Sequence, residues 1–299
     1  MVNTLISVII PVYNRVSELE RAIQSVLCQS WQNFEILVVD DGSDADIKTV
    51  CDSFQDDRIR YFRNSHHTNA NVARNKGIKE AKGEYIAMLD SDDEFIREHL
   101  EHRLEKMAEW KCDGIFGSAY VLENGQKKIL HSRPLRKNER IINYLLSDGF
   151  APTPSHFYKT PAAKAVLWDE MLERHQDLDF MVRFSEKFTL EVDPVPTIVV
   201  HWEYHAGKDF KLDSCIAFIA RNKDFIDKKI YCDYHRNMYS KIYKYERPLY
   251  IEHYAAESCR YIEYVSFRSY YFVHKNSESS FIYLVIKYLS LRLIACKSK

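Results

Sequence analysis

The sequence predicts an α/β protein with a doubly wound, mostly parallel sheet. Short apolar segments alternate with amphipathic segments at helical spacing through the first third of the chain, as in repeated β-α units. The apolar segments that end near residues 12, 39 and 89 are each followed by polar residues. In an open parallel sheet the carboxyl ends of the strands share one edge, where ligands bind. The pattern therefore predicts a polar crevice at that edge.

The first β-α pairs follow from the spacing of their apolar residues. Strands are predicted over residues 7–12, 35–39, 58–62 and 85–89. Amphipathic helices are predicted over residues 19–27, 47–54, 72–81 and 96–107. Ser17 and Glu20 have the spacing of a capping box for the first helix, and Gly83 ends the third.

The second half of the chain is less regular. Strands are predicted over residues 114–122 and 197–200, and residues 150–158 return the chain to the sheet. A further helix carries Asp177 and Asp179 in its first turn. From residue 213 onward several windows indicate helix, including residues 250–267. We therefore predict a mainly helical C-terminal extension over residues 213–299.

Composition excludes several classes of protein. The formal net charge is -1, which gives no indication of nucleic-acid binding. The seven cysteines contain no C-x-x-C pair, which argues for a reducing compartment and against disulfides or structural zinc. The first ten residues lack the basic start of a signal peptide, and no apolar run is long enough to span a bilayer. These features predict a cytoplasmic protein.

A cluster of acids follows the segment 85–89. Asp90, Asp92 and Asp93 cannot all be buried without partners, because desolvating an unpaired charge costs several kcal/mol. Clustered carboxylates suit Mg²⁺ or Mn²⁺, ions that commonly bridge to substrate phosphates. The alternative is that Asp92 or Asp93 caps a helix starting near Phe95. Neither a G-x-G-x-x-G after the first strand nor a P-loop motif is present, so a nucleotide here would have its phosphates held by metal.

Four segments in order, SVIIPVYNR, EILVVDDGS, ARNKGI and GEYIAMLDSDD, resemble the inverting GT-A glycosyltransferases of family 2. The resemblance is dense over about the first third of the chain. It implies the GT-A fold, a nucleotide-diphospho-sugar donor, often a UDP-sugar, and Mn²⁺ or Mg²⁺ as cofactor. It also implies a catalytic domain over residues 1–212, with a nucleotide-sugar half, 1–112, and an acceptor half, 113–212.

The resemblance assigns roles to individual residues. Asp92 is implied as the direct metal ligand, and Asp90 lies nearer the ribose. Arg74 is in the position of a basic residue that contacts the nucleotide. The alternative is that Arg74 forms an ion pair on the surface of its helix. Contacts to the base and ribose are implied for three residues: Pro11, Tyr13 and Asp41.

Asp177 is implied as the catalytic base. Family members usually carry Glu-Asp before such a helix, whereas this chain has Gln176 before Asp177. Inversion at a sugar carbon needs one carboxylate to take the proton of the attacking hydroxyl. The alternative for Asp177 and Asp179 is that an acidic first turn complements the helix dipole.

Two histidines follow the predicted strand 197–200. In related enzymes a histidine in this region helps to hold the metal or the diphosphate, and neutral imidazole is a competent ligand. His205 is therefore the second candidate metal ligand. For both His205 and His201, the alternative is that the histidine simply lies on a polar loop.

The sequence thus predicts an inverting, metal-dependent glycosyltransferase that uses a glycan or lipid-linked acceptor in polysaccharide or lipopolysaccharide biosynthesis. The alternatives are a sugar-nucleotide nucleotidyltransferase and a non-catalytic nucleotide-binding partner subunit. The basic, apolar tail 281–299 suits peripheral contact with the inner membrane face. It equally suits packing on the core or on a second copy of the chain in a homodimer.

Overall fold

The computed structural model describes residues 4–147, 149–202, 211–244, 248–266, 269–270, 273 and 281–297. The chain divides into two compact units. Unit 1 comprises Met1–Ile141 and Asp148–Phe218, and unit 2 comprises Ile142–Ser147 and Ile219–Lys299.

Unit 1 contains two β-sheets. The strands of the described chain are β1 Ile6–Val12, β2 Phe34–Asp40, β3 Ile59–Arg63, β4 Tyr85–Met88, β5 Glu94–Phe95, β6 Gly114–Gly117, β7 Ala119–Glu123, β8 Gln126–Leu130, β9 Phe157–Lys159, β10 Leu190–Asp193 and β11 Ile198–Trp202. The larger sheet has the order β10-β6-β9-β4-β1-β2-β3, and the smaller has the order β5-β11-β7-β8. In the larger sheet only β9 runs antiparallel to its neighbours among the described strands. The predicted mostly parallel sheet is confirmed.

Helices connect these strands and continue beyond them. Their bounds are α1 Val16–Leu27, α2 Ile47–Ser53, α3 Ala70–Glu80, α4 His99–Trp110, α5 Ile141–Ser147, α6 Thr160–Val166, α7 Gln176–Ser185, α8 Leu212–Asn222, α9 Lys228–Lys244, α10 Pro248–Ser258 and α11 Phe281–Lys297. Short 3₁₀ turns cover Thr153–Ser155, Lys223–Phe225 and Ile262–Tyr264.

The core of unit 1 lies around the central strands. Every residue of β1 and β2 is buried, so both faces of the sheet are covered. On one face, α1 packs through four apolar residues at helical spacing: Leu19, Ala22, Ile23 and Val26. On the other face α3 comes close to β1, since a Cβ atom on Gly77 would lie 2.5 Å from Cγ2 of Ile9. Glycine at position 77 therefore permits the close packing that brings α3 to the sheet.

The start of α1 differs from the sequence prediction. The helix begins at Val16 with Arg15 as its N-cap residue, and Arg15 makes no side-chain capping bond. The predicted capping box is wrong, because Ser17 and Glu20 lie inside the helix. The chain turns earlier, at Asn14, whose φ of 53° is in the left-handed region. The Asn14 side chain fixes this turn by accepting a hydrogen bond from the backbone of Asp44 at 2.8 Å.

The predicted strand 114–122 is two strands in different sheets. β6 belongs to the larger sheet and β7 to the smaller one, with Ser118 between them. The break occurs where the chain passes β10: a Cβ atom on Gly117 would lie 1.9 Å from the carbonyl oxygen of Asp193. Apolar periodicity continues across the break and so does not reveal it. Similarly, β11 extends to Trp202, so His201 lies within the strand and not after it.

The helical C-terminal extension is confirmed in unit 2. α9, α10 and α11 belong to it, and α10 ends at Ser258, earlier than predicted, before the short turn Ile262–Tyr264. Its small core contains five buried side chains: Cys232, Val265, Tyr270, Leu284 and Tyr288. Within the ranges given above, none of the helices combines the length and the apolar character needed to cross a membrane.

Candidate functional site

The carboxyl ends of β1, β2 and β4 meet at one edge of the larger sheet, as predicted. A cavity of about 560 Å³ lies there, which we call the Tyr13 cavity. The sequence predicts nucleotide or metal contacts for seven residues, and the cavity is lined by all of them except His205: Pro11, Tyr13, Asp41, Arg74, Asp90 and Asp92. The structure thus brings together side chains that are up to 81 positions apart in the chain.

An aromatic stack stands at one side of the Tyr13 cavity. The rings of Tyr13 and His67 are stacked, with centroids 3.8 Å apart and planes inclined by 22°. Both side chains are partly exposed, and Nδ1 of His67 lies 2.9 Å from Oδ2 of Asp41. Flat aromatic faces of this kind suit a nucleobase. His67 carries no signal in the sequence, because its pairing with Tyr13 depends on the fold.

Asp41 is buried and accepts several hydrogen bonds. Asn64 donates to it through Nδ2 at 2.8 Å, and Thr68 donates through its backbone nitrogen at 2.9 Å and its hydroxyl at 2.6 Å. These bonds fix the loop that follows β3, including His67. His67, the half-exposed neighbour of Asp41, lines the cavity beside it, so a ligand that contacts the Asp41 carboxylate would lie next to His67.

Arg74 lies on α3 with a buried guanidinium. Its Nη2 donates to Oδ1 of Asp90 at 2.8 Å, and its Cζ lies 4.6 Å from the ring centroid of Trp168. The residue is only 6 % exposed, so the alternative of a surface ion pair is wrong. A buried guanidinium beside a cavity can bind an anionic ligand through its remaining donors.

The acidic loop after β4 is crowded with negative charge. Burial and then the charge of Asp90 raise the pKa of Asp92, and Arg15 opposes this rise with Nη1 lying 2.5 Å from Oδ2. The pKa of Asp93 is raised well above its ordinary value by burial and by the charges of Asp90 and Asp92. Such crowding favours a bound cation. Neither Asp92 nor Asp93 caps a helix, because β5 follows them and α4 begins at His99.

The fit of this loop to a metal ion rests on two carboxylates. No group of three His, Cys, Asp or Glu side chains suited to a metal occurs within the described part of the chain. His205 lies outside the described residues. Nε2 of His201 lies 2.7 Å from Oε1 of Glu94, and the backbone nitrogen of His201 donates to Asp93. Asp90 and Asp92 still fit Mg²⁺, which commonly takes one or two carboxylates together with phosphates and water.

A second cavity, of about 690 Å³, contains Asp177 in its wall, and we call it the Asp177 cavity. It shares four lining residues with the Tyr13 cavity: Arg15, Asp90, Asp92 and Gln176. Burial raises the pKa of Asp177, which makes its carboxylate a stronger base. The acidic loop therefore lies between a cavity with an aromatic stack and a cavity with a basic carboxylate.

The two acids in the first turn of α7 have different environments. Asp179 is buried and accepts from Nε of Arg183 at 2.7 Å, one helical turn later. Asp177 accepts a 2.9 Å hydrogen bond from the backbone nitrogen of Leu178 and lines the Asp177 cavity. The side chain of Gln176, which replaces the usual Glu, donates to the backbone carbonyl of Leu172 at 2.9 Å. Helix-dipole complementarity applies equally to both acids and does not explain this difference.

Two asparagines of α3 hold the segment that leads to Asp177. Asn71 donates to the carbonyls of Asp169 at 2.7 Å and Leu172 at 3.1 Å. Asn75 donates to the carbonyl of Trp168 at 2.9 Å and accepts from the backbone nitrogen of the same residue at 2.7 Å. Both asparagines are buried, so these bonds are shielded from water. They explain why α3, which carries Arg74, also determines the position of the predicted base.

Comparison with protein families and sequences gives consistent matches. The family model described as Glycosyl transferase family 2 matches residues 7–164. An uncharacterized glycosyltransferase of Rickettsia felis is 51% identical over 110 residues, which cover 36% of this chain and 18% of the relative. The GalNAc(5)-diNAcBac-PP-undecaprenol beta-1,3-glucosyltransferase of Campylobacter jejuni is 36% identical over 140 residues, which cover 46% of this chain and 45% of that enzyme. The chain therefore spans less than half the length of each of these relatives.

The fold is also found in solved structures. TarS 1–349 of S. aureus in complex with UDP-GlcNAc matches with a TM-score of 0.65 and 17% identity, over 88% of this chain and 82% of that chain. Its complex with UDP matches with a TM-score of 0.63 and 18% identity, over 98% of this chain and 92% of that chain. At this level of identity the similarity shows a shared fold, and it bears out the predicted α/β architecture.

Proposed function

Because the chain belongs to glycosyl transferase family 2, we propose that it transfers a sugar from a nucleotide-diphospho-sugar to a glycan or lipid-linked acceptor. The observation that carries the proposal is that Asp177 and the acidic loop, through Asp90 and Asp92, line one cavity. A base and an anion-stabilising site on either side of a sugar carbon are what an inverting displacement requires.

The Tyr13 cavity is the proposed donor site. The nucleobase binds at Tyr13 beside Pro11, with His67 displaced or closing over it, and Asp41 contacts the base or ribose. Arg74 and Asp90 lie towards the ribose and phosphates. That TarS structures contain UDP and UDP-GlcNAc supports a UDP-sugar as the donor.

The proposed cofactor is Mn²⁺ or Mg²⁺, held by Asp92 with His205 as a further candidate ligand. When bound, the ion supplies positive charge to the leaving diphosphate. The raised pKa of Asp92 supports this assignment, since a carboxylate crowded by Asp90 gains from a cation. Arg15, already in contact with Asp92, can then turn to the diphosphate.

Asp177 is the proposed general base. Its carboxylate accepts the proton of the attacking acceptor hydroxyl, on the side of the sugar carbon opposite the leaving group, and the configuration of that carbon inverts. The pKa raised by burial supports this role, because a base is more effective when its pKa is closer to the working pH.

The acceptor is proposed to be a growing glycan in polysaccharide or lipopolysaccharide assembly. The name of the Campylobacter jejuni relative includes an undecaprenol-linked saccharide, and a relative of Erwinia amylovora, 29% identical over 204 residues, is the amylovoran biosynthesis glycosyltransferase AmsB. A lipid-linked acceptor would place the reaction at the cytoplasmic face of the membrane. Residues 1–212 would form the catalytic domain and residues 213–299 the helical extension.

A panel of nucleotide-sugars tests the proposal. Purified protein is incubated with Mn²⁺ and UDP-, GDP- or dTDP-sugars, and release of the nucleoside diphosphate is measured with and without glycan acceptors. We expect release from a UDP-sugar in the parent protein and strongly reduced release in the Asp177→Asn variant. Formation of a nucleotide-sugar from a nucleoside triphosphate and a sugar phosphate would instead favour a nucleotidyltransferase. Binding of UDP without any transfer across acceptors would favour a non-catalytic subunit.

A further inference from the structure

We propose that Trp202 forms the platform on which the acceptor sugar binds, with Glu123 and Lys128 holding its hydroxyl groups. This inference rests on the proposed function, because it assigns the acceptor side of the same site. The part of the acceptor that binds here would be a pyranose ring that presents a C–H face.

Trp202 is an exposed aromatic residue in the wall of the Asp177 cavity. It is the last residue of β11, and 41 % of its surface is exposed. Single exposed apolar residues are ordinary on a protein surface. Trp202 differs because it shares a cavity with Asp177, the residue that would contact the attacking hydroxyl. An acceptor sugar that reaches Asp177 therefore lies within the space that Trp202 borders.

A second aromatic ring supports the indole. Phe150, which also lines the cavity, packs edge-to-face against it with centroids 6.1 Å apart and an interplanar angle of 81°. Edge-to-face packing is a favourable arrangement for two aromatic rings. A rigid aromatic face provides a large contact area at a low cost in side-chain entropy.

A pair of opposite charges borders the indole. Glu123 is the residue opposite Trp202 in the β7-β11 register, and Nζ of Lys128 lies 2.6 Å from its Oε2. The same ammonium lies 5.1 Å from the indole ring centroid. Both side chains are more than 40 % exposed, so this ion pair is weak and its ammonium is easily moved.

This arrangement is complementary to a pyranose. The apolar face of the indole suits the C–H face of the sugar ring. The sugar would take the position over the indole that the Lys128 ammonium now occupies. The Glu123 carboxylate accepts hydrogen bonds from hydroxyl groups, and the Lys128 ammonium donates them. An apolar wall with a few convergent polar groups is the usual composition of a small-molecule site. A lipid chain would use the indole but would have no use for the two charges.

Saturation-transfer NMR tests the assignment with defined probes. Methyl β-D-glucopyranoside, methyl β-D-galactopyranoside and n-octyl β-D-glucopyranoside are added to the protein with UDP and Mg²⁺. We expect saturation of the ring protons of at least one methyl glycoside in the parent protein. Trp202→Ala should weaken that binding roughly 2- to 12-fold, the effect of losing one aromatic contact, and Trp202→Phe should retain most of it. Trp110→Ala, which removes an indole outside both cavities, is the matched control.

Three results would overturn the inference: no saturation of any methyl glycoside, equal saturation in Trp202→Ala, or saturation confined to the octyl chain. The last would assign the indole to a lipid. UDP binding by calorimetry and a thermal melt are recorded for each variant. If the parent protein does not bind UDP, the proposed function fails. If UDP binds normally and the glycoside results are negative, only the Trp202 assignment fails.

Discussion

Arg15 and Asp92 form an ion pair that joins the carboxyl ends of β1 and β4. Nη1 of Arg15 lies 2.5 Å from Oδ2 of Asp92, and both residues line both cavities. Arg21 adds a second contact to this loop by donating to the carbonyl oxygen of Asp92 at 2.6 Å. A guanidinium and a metal ion would therefore compete for the same carboxylate.

Arg15→Ala should strengthen the binding of Mn²⁺ alone. Removing the guanidinium leaves Asp92 without its competing cation, and a partly exposed pair is worth up to about 1 kcal/mol, or roughly a fivefold change in affinity. Calorimetric titration with MnCl₂ measures the effect. Arg97→Ala removes the same charge from an exposed position and should leave the affinity unchanged. Weaker Mn²⁺ binding in Arg15→Ala would show that Arg15 organises the acidic loop and does not compete with the ion.

Asp92→Ala should abolish transfer and weaken UDP binding when Mn²⁺ is present, because the phosphates lose their bridging cation. Without metal, the two proteins should differ much less in UDP affinity. EDTA should reproduce the loss of transfer in the parent protein, and Asp57→Ala, which removes an exposed carboxylate, should have no effect. Transfer that survives exhaustive chelation would contradict the metal assignment.

Asp177→Asn should reduce turnover by roughly 10²- to 10⁴-fold, the usual contribution of general base catalysis. The amide oxygen can still accept the hydrogen bond of Leu178, so the affinity for UDP should barely change. Steady-state kinetics with saturating donor measures both quantities. A large loss of donor binding with normal turnover would place Asp177 in the donor site instead.

The same variant should be more stable than the parent protein at neutral pH. Burial raises the pKa of Asp177 in the folded state above its unfolded value of about 3.9, so the ionised carboxylate destabilises the fold above the folded pKa. Asparagine removes this ionisation. The gain in melting temperature at pH 7 should therefore shrink as the pH falls through the folded pKa and vanish below the unfolded one. Asp179→Asn is the contrasting variant: it breaks the buried pair with Arg183 and should lower the melting temperature. A gain for Asp177→Asn that does not depend on pH would contradict the ionisation argument.

The sequence predicted the central sheet well, because β1, β2 and β4 are buried apolar runs whose ends are marked by polar residues. The position of the carboxylates at the sheet edge follows from the same pattern and the rule that parallel strands share a carboxyl end. In contrast, the break at Ser118 leaves no trace in apolar periodicity, since the residues on either side of it, Gly117 and Ala119, are both buried.

The residues that the sequence did not identify are those whose partners lie far along the chain. His67 faces Tyr13, Arg15 faces Asp92, and Trp202 faces Phe150 and Lys128. Arg15 directly follows the PVYN segment, and that position was the one available signal for it. The others are ordinary loop or strand residues until the fold brings their partners to them.

The final prediction concerns the tail, for which the sequence left membrane contact and packing as alternatives. Within unit 2, Leu284 and Tyr288 of α11 are buried in the small core, and the Tyr288 hydroxyl donates to the carbonyl of Val265 at 2.7 Å. Leu284→Ala should therefore lower stability by about 2–5 kcal/mol, whereas Leu289→Ala, at a position 53 % exposed, should change it by less than about 0.5 kcal/mol.

A chain that ends at Ser280 lacks α11 and should melt at a lower temperature for the same reason, because the loss of this helix uncovers apolar surface in unit 2. Thermal melts of the two substitutions and the shortened chain measure this packing role, and co-sedimentation with anionic liposomes measures membrane contact. Unchanged melting of the shortened chain, together with loss of liposome binding that the full-length protein shows, would assign the tail to the membrane instead. Equal melting temperatures for Leu284→Ala and Leu289→Ala would likewise contradict the packing of α11, since only one of these side chains is buried.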